Sequence, residues 1–210
     1  MRTILGLLFC CFGLSAFGAG QGPESPPADR LRSPGWNYGI QISGGASVLE
    51  VSSPVFPTAG RTTSNVSLML HTGRVLTHEH GHGWLAGTLE IDAGIVPAEL
   101  FFVLGTHYAG GFEAPEFRWN FTHNRRRFVP FVSAGFGMLF SPENFPPGDT
   151  LQYNFTAAAD VGAHVFLRRR QSLDVTARVH HLSNAYLGPL NPGVPVSLQL
   201  TLGYTWFGRK

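Results

Sequence analysis

The chain has 210 residues, a length that suits one domain and hardly two. Lys and Arg number 15 against 13 Asp and Glu, a balance that gives no case for a nucleic-acid partner. Only 13% of the residues are charged, well below the roughly 25% of soluble domains, while aromatics make up 12% and Gly reaches 26 residues.

Met1-Arg2, an apolar stretch from Ile4 to Phe17 and the small residues Gly18, Ala19 and Gly20 read as a secretory signal peptide over residues 1–19, cleaved near Ala19. Both cysteines, Cys10 and Cys11, fall inside this leader, so the mature chain is expected to carry no thiol, no disulfide and no Cys-based metal site. No later run approaches the about 20 apolar residues of a membrane helix. Low charge without such a helix fits a transmembrane β-barrel, in which the lipid-facing half is apolar and the lumen uses small polar residues.

Residues 20–35 are rich in Pro and Gly and read as a flexible lead-in. From 36 to 207, eight stretches alternate with period 2. They cover residues 36–50, 64–70, 84–96, about 107–121, 128–140, about 151–167, 172–184 and 197–207. In the first, Trp36, Tyr38, Ile40 and Ile42 share one face, while Asn37, Gly39, Gln41 and Ser43 share the other. The expected fold is all-β: an eight-stranded antiparallel transmembrane barrel of the outer-membrane type. Apart from residues 64–70, its stretches reach the ten or so residues that a tilted membrane strand needs. A soluble sandwich or a lipocalin-like barrel would show the same alternation. The leader and the aromatic-rich ends (Trp36, Tyr38, Tyr204, Trp206, Phe207) favour the membrane.

With both termini in the periplasm, HEHGHG, HNRRR and RRRQ become the inner turns. The outer loops are then SSPVFPTAGRT, the stretch around PAELFFVLGT, SPENFPPGDT and AYLGPLNPGVP. Long loops outside and short turns inside is the pattern of such barrels. Glu90, Asp92, Asp160 and Arg178 fall on lumen faces, where they read as a charge network filling a narrow interior. His78, His80 and His82 alternate as metal ligands could, but Gly81 and Gly83 beside them favour a hydrated turn, and no metal or cofactor is expected.

In the seventh stretch the apolar face runs Leu173, Val175, Ala177 and Val179, and steps of two then reach His181 and Ser183. A His and a Ser thus continue the face that should touch lipid, about 6.6 Å apart. Counted from the inner turn, Ser183 lies about 28 Å up a tilted strand, at the outer rim of the apolar band. A Ser nucleophile with a His base at that height suits attack on an ester lying in the outer leaflet.

The stretch HHLSNAYLGPLNPGVPVSLQLTLGYTWF resembles the C-terminal region of the lipid A 3-O-deacylases (the PagL family), including members labelled acyloxyacyl hydrolases, whose core is His-x-Ser-Asn at a strand end. FRWNF, VPFVSAGFGMLF, NFTAAADVGAH and the Leu89-Glu90 pair extend the likeness over about residues 36–207. The resemblance implies an outer-membrane serine esterase that removes an acyl chain from the 3-O position of lipid A in lipopolysaccharide. His181 and Ser183 would be catalytic, with Asn184 an oxyanion or positioning residue. The family places a Glu twelve residues after the Ser to orient the His; here that position is Pro195, and no carboxylate follows Asp174. Asn191 and Ser197 are the weaker substitutes within reach. The alternative is a non-enzymatic small outer-membrane barrel with a degenerate site. Whether two copies pair as a homodimer stays open at this point.

Overall fold

The structure, a computed structural model, describes residues 27–49, 57–124, 127–148 and 150–208. The expected leader, part of the first outer loop and Arg125-Arg126 lie outside the described residues. Eight antiparallel strands close into a barrel in simple sequence order, with β8 returning to β1. They are β1 (Gly35–Ser47), β2 (Ser64–Val75), β3 (Thr88–Phe102), β4 (Thr106–Asn120), β5 (Phe128–Phe140), β6 (Tyr153–Arg168), β7 (Gln171–Ser183) and β8 (Val194–Phe207). Each has 12 to 16 residues, enough for a tilted crossing of the hydrocarbon layer.

Alternation sets what faces where. In β7, Ser172, Asp174, Thr176, Arg178, His180 and Leu182 are buried in the lumen, while Leu173, Val175, Ala177, Val179 and His181 are exposed on the outer wall. Ile40, Ile42, Phe136, Val161, Leu198, Leu200 and Leu202 are likewise turned outward. A soluble protein does not leave so much apolar surface bare; the hydrocarbon of a bilayer covers it. At the end where β1 begins and β8 finishes, Tyr38 stacks on Trp206 at 5.8 Å, with Tyr204 against Trp206 at 4.5 Å and Trp36 exposed nearby, an aromatic girdle.

The lumen is packed in three layers. Leu31, Val75, Val129, Phe166 and Phe207 close the girdle end. Met69, Val96, Phe101, Leu139, Phe145, Leu182 and Val194 help close the other. Between them lies the expected charge network, wider than the sequence indicated. Arg178 meets Asp160 at 2.8 Å and Glu113 at 2.8 Å, and Arg118 meets Glu116 at 2.7 Å and Asp92 at 3.3 Å. Asp174 accepts from Ser172 and Thr205 and pairs with His164 at 2.7 Å. Mutual pairing is what allows so many ionisable groups inside a narrow barrel.

Three expectations about the connections are corrected. Residues 97–102, read as part of an outer loop, continue β3, and the β3–β4 turn is only residues 103–105. Pro97 sits in a register shift between Val96 and Glu99, where a strand tolerates the missing N–H, and Asn65 donates to the inward-facing Glu99 at 2.7 Å. The β2–β3 connection, expected to be a short turn, spans residues 76–87 and contains a 3-10 turn at Gly83–Leu85. Residues 27–34, expected as flexible, are docked. Leu31 is fully buried, its carbonyl accepts from Thr88 Oγ1, Arg32 donates to the Thr122 carbonyl, and Arg30 donates to the Gly208 carbonyl. Among the histidines of the β2–β3 connection, His80 is exposed and packs edge-on against Trp119 at 4.9 Å.

Candidate active site

His181 and Ser183 stand at the far end of β7 from the girdle, on the outer wall. His181 is exposed and Ser183 half-buried, so the pair is open to whatever surrounds the barrel. The flanking inward residue, Leu182, is 1% exposed and pairs with Val194 across to β8, and both are anchored in the outer apolar plug. Phe101 and Phe145 stack at 4.4 Å in the same plug. A rigid interior therefore holds the backbone from which the two polar side chains project outward.

The β7–β8 ladder breaks at the site. His180 pairs with Ser197 and Leu182 with Val194, so Pro195 and Val196 together oppose the single residue His181. This is a β-bulge, which re-aims side chains and breaks regular pairing. Proline suits it, because a bulge position has no ladder bond for an N–H to make. The bulge turns the Pro195 carbonyl onto the imidazole, 2.7 Å from His181 Nδ1. A carbonyl oxygen can only accept, so Nδ1 carries a proton, and in the neutral imidazole the lone pair is then on Nε2. That is the tautomer a general base needs. Among the described residues no hydrogen bond joins the imidazole to Ser183, whose neighbour on β6 is Phe155.

Sequence reasoning missed this acceptor. The two side chains considered in its place are engaged elsewhere. Asn191 Oδ1 accepts from the Asn184 backbone N–H at 2.9 Å, and Ser197 Oγ donates to the His180 carbonyl at 3.3 Å. Pro195 carried the only available signal, since a proline inside a strand marks a bulge or an edge. Glu90 and Asp92, as expected, and Asp174 are buried in the lumen, on the other side of the wall from His181.

Asn184 is 1% exposed and organises the outer loop of residues 184–193. Its Nδ2 donates to the Leu190 carbonyl at 2.7 Å and its Oδ1 accepts from the Tyr186 N–H at 3.1 Å. These bonds hold Ala185 and Tyr186 at φ of 54° and 60°, the left-handed region that costs non-glycine residues energy. The loop thereby presents Tyr186 and Leu187, both well exposed, beside Ser183.

The model of the lipid A 3-O-deacylase (PagL) family matches residues 49–205. Among solved structures, the outer membrane enzyme PagL is similar at 18% identity and a TM-score of 0.54, covering 80% of this chain and 98% of that one. Neisserial surface protein A is similar at 11% identity and a TM-score of 0.49, covering 81% and 96%. No curated protein matches. The structural likeness speaks to fold, and the family model spans more than half of the chain, including the whole of β7 and its bulge: the protein is an outer-membrane barrel that belongs to the lipid A 3-O-deacylase (PagL) family.

Proposed function

We propose that this barrel is a serine esterase that removes the 3-O-linked acyl chain of lipid A. The observation that carries the reading is the 2.7 Å contact from His181 Nδ1 to the Pro195 carbonyl, with Ser183 two residues further along the same outer face. The imidazole is thereby fixed in the tautomer that can accept a proton at Nε2.

Chemistry follows from those atoms. Ser183 Oγ attacks the ester carbonyl while His181 Nε2 takes its proton. The tetrahedral intermediate collapses, the sugar oxygen leaves with that proton, and an acyl-serine remains. Water then attacks the acyl-serine with His181 again as base, and the fatty acid departs. Asn184 is assigned to positioning, a role supported by its four hydrogen bonds within the loop. The Pro195 carbonyl replaces the carboxylate that orients the imidazole in a usual triad. A neutral dipole fixes the tautomer as well as a carboxylate does, but it stabilises the imidazolium less, because a full negative charge attracts the cation more strongly than a carbonyl dipole does. Slower turnover than that of a complete triad is the expected result.

The test is to incubate the detergent-purified barrel with lipopolysaccharide and compare lipid A masses with those from Ser183→Ala. Loss of one 3-hydroxyacyl chain with the native serine alone supports the reading. Unchanged lipid A from a folded wild-type barrel overturns it and favours a non-enzymatic barrel whose site has lost its acid.

A further inference from the structure

Diametrically across the barrel from β7, the outer wall around β3 carries two adjoining depressions of about 560 and 450 Å³. Their floor is shared by Ala93 and Ala114, with Thr72 beside them in register with Ala93. Register shifts in β3 between Asp92 and Gly94, and in β4 between Glu113 and Glu116, bend the wall at this level. Ile91 and Leu76 flank the lower depression, and Leu70, Ile95 and Phe112 the upper. Both are mainly apolar, and together they run lengthwise along the strands. From Arg74 to Leu70 alone the groove climbs about 13 Å.

The lower mouth is where the groove acquires charge. Arg74 is exposed, and its guanidinium lies 5.2 Å from the centre of the Trp36 ring. Trp36 is exposed at the same barrel end as the stacked Tyr38 and Trp206, the end expected to face the periplasm, and girdle aromatics of this kind sit at headgroup level. Arginine is the side chain best shaped to fork a phosphate. A cation at headgroup level above an apolar trough of acyl-chain dimensions is complementary to a diacyl phospholipid.

We propose that this groove is a binding site for a phospholipid of the periplasmic leaflet, its phosphate on Arg74 and one acyl chain lying over Thr72, Ala93 and Ala114. The site is separate from His181 and Ser183 and does not depend on the proposed hydrolysis.

Delipidated protein in detergent, titrated with phosphatidylglycerol and followed by native mass spectrometry, tests it. One lipid should be retained by the wild type. Arg74→Gln should weaken retention about fivefold, as loss of one interfacial basic contact does. Ala93→Leu, which fills the trough, should weaken it about tenfold. Diacylglycerol, with the same chains and no phosphate, should bind the wild type no better than phosphatidylglycerol binds Arg74→Gln. Circular dichroism checks that each variant is folded, and deacylation by Ala93→Leu should match the wild type. Equal retention by folded wild type and Ala93→Leu overturns the proposal. So does dimerisation of the wild type that Ala93→Leu abolishes, which would give the groove to a second copy of the chain.

Discussion

Replacing Arg178 with Met should destabilise the barrel by about 3–5 kcal/mol, the cost of breaking a buried charge cluster by removing one partner. Arg178 donates from Nε to Asp160 at 2.8 Å, from Nη1 to both oxygens of Glu113 at 2.9 and 2.8 Å, and from Nη2 to Asp160 at 3.1 Å and Glu116 at 3.3 Å. Methionine fills much of the volume and satisfies none of the three carboxylates, which then face one another in a closed lumen. Equilibrium unfolding in urea from lipid vesicles, followed by tryptophan fluorescence, measures the effect. With a slope of about 2 kcal/mol/M, the midpoint should fall by about 2 M. Adding Glu113→Gln should restore at least about 1 kcal/mol, since one orphaned charge is removed and the two sites are in contact. A midpoint change below about 0.5 M, or no coupling between the substitutions, would refute the view that Arg178 neutralises the lumen.

Other outcomes follow from the same structure. Leu31→Ala should cost about 2–5 kcal/mol in the same unfolding assay, because Leu31 is fully buried in the inner plug. Asn184→Ala removes two side-chain hydrogen bonds, worth about 1 kcal/mol each, and should lower kcat on lipopolysaccharide more than it shifts the unfolding midpoint. Gly193→Ala should impair the site, because Gly193 has φ of 57° and an added Cβ would meet the Leu182 carbonyl oxygen at 2.5 Å. Its effect would appear as slower deacylation with secondary structure unchanged by circular dichroism.

Alternation carried most of the fold into view. The β5 boundaries, residues 128–140, coincide with the period-2 stretch, whose middle turns Ser133, Gly135 and Gly137 inward and Val132, Ala134 and Phe136 outward. Misreadings came where local chemistry contradicts the tertiary environment. Pro97 and Glu99 look like loop residues, yet a bulge accommodates the first and Asn65 satisfies the second. The Pro-rich lead-in looked unstructured because its anchors are one leucine with its carbonyl and two arginines that reach distant main-chain carbonyls, which composition does not reveal. The outward placement of His181 and Ser183 was legible for the opposite reason, since polar side chains interrupting an apolar face stand out in a strand. The partner of His181 was not legible. It is a main-chain oxygen, and its position depends on a register shift between two strands whose pairing no single segment encodes.

A carbonyl from the chain itself has a different vulnerability from a side chain. Every residue type supplies one, so substitution scanning at position 195 would pass over the group that orients the imidazole. What the arrangement cannot tolerate is a change in count. Deleting one residue between Val194 and Ser197 would erase the bulge and restore regular pairing opposite His181, withdrawing the acceptor while leaving both polar side chains of β7 untouched. In relatives built this way, the number of residues from Val194 to Ser197 would be the trait held constant, more than the identity of Pro195 or Val196.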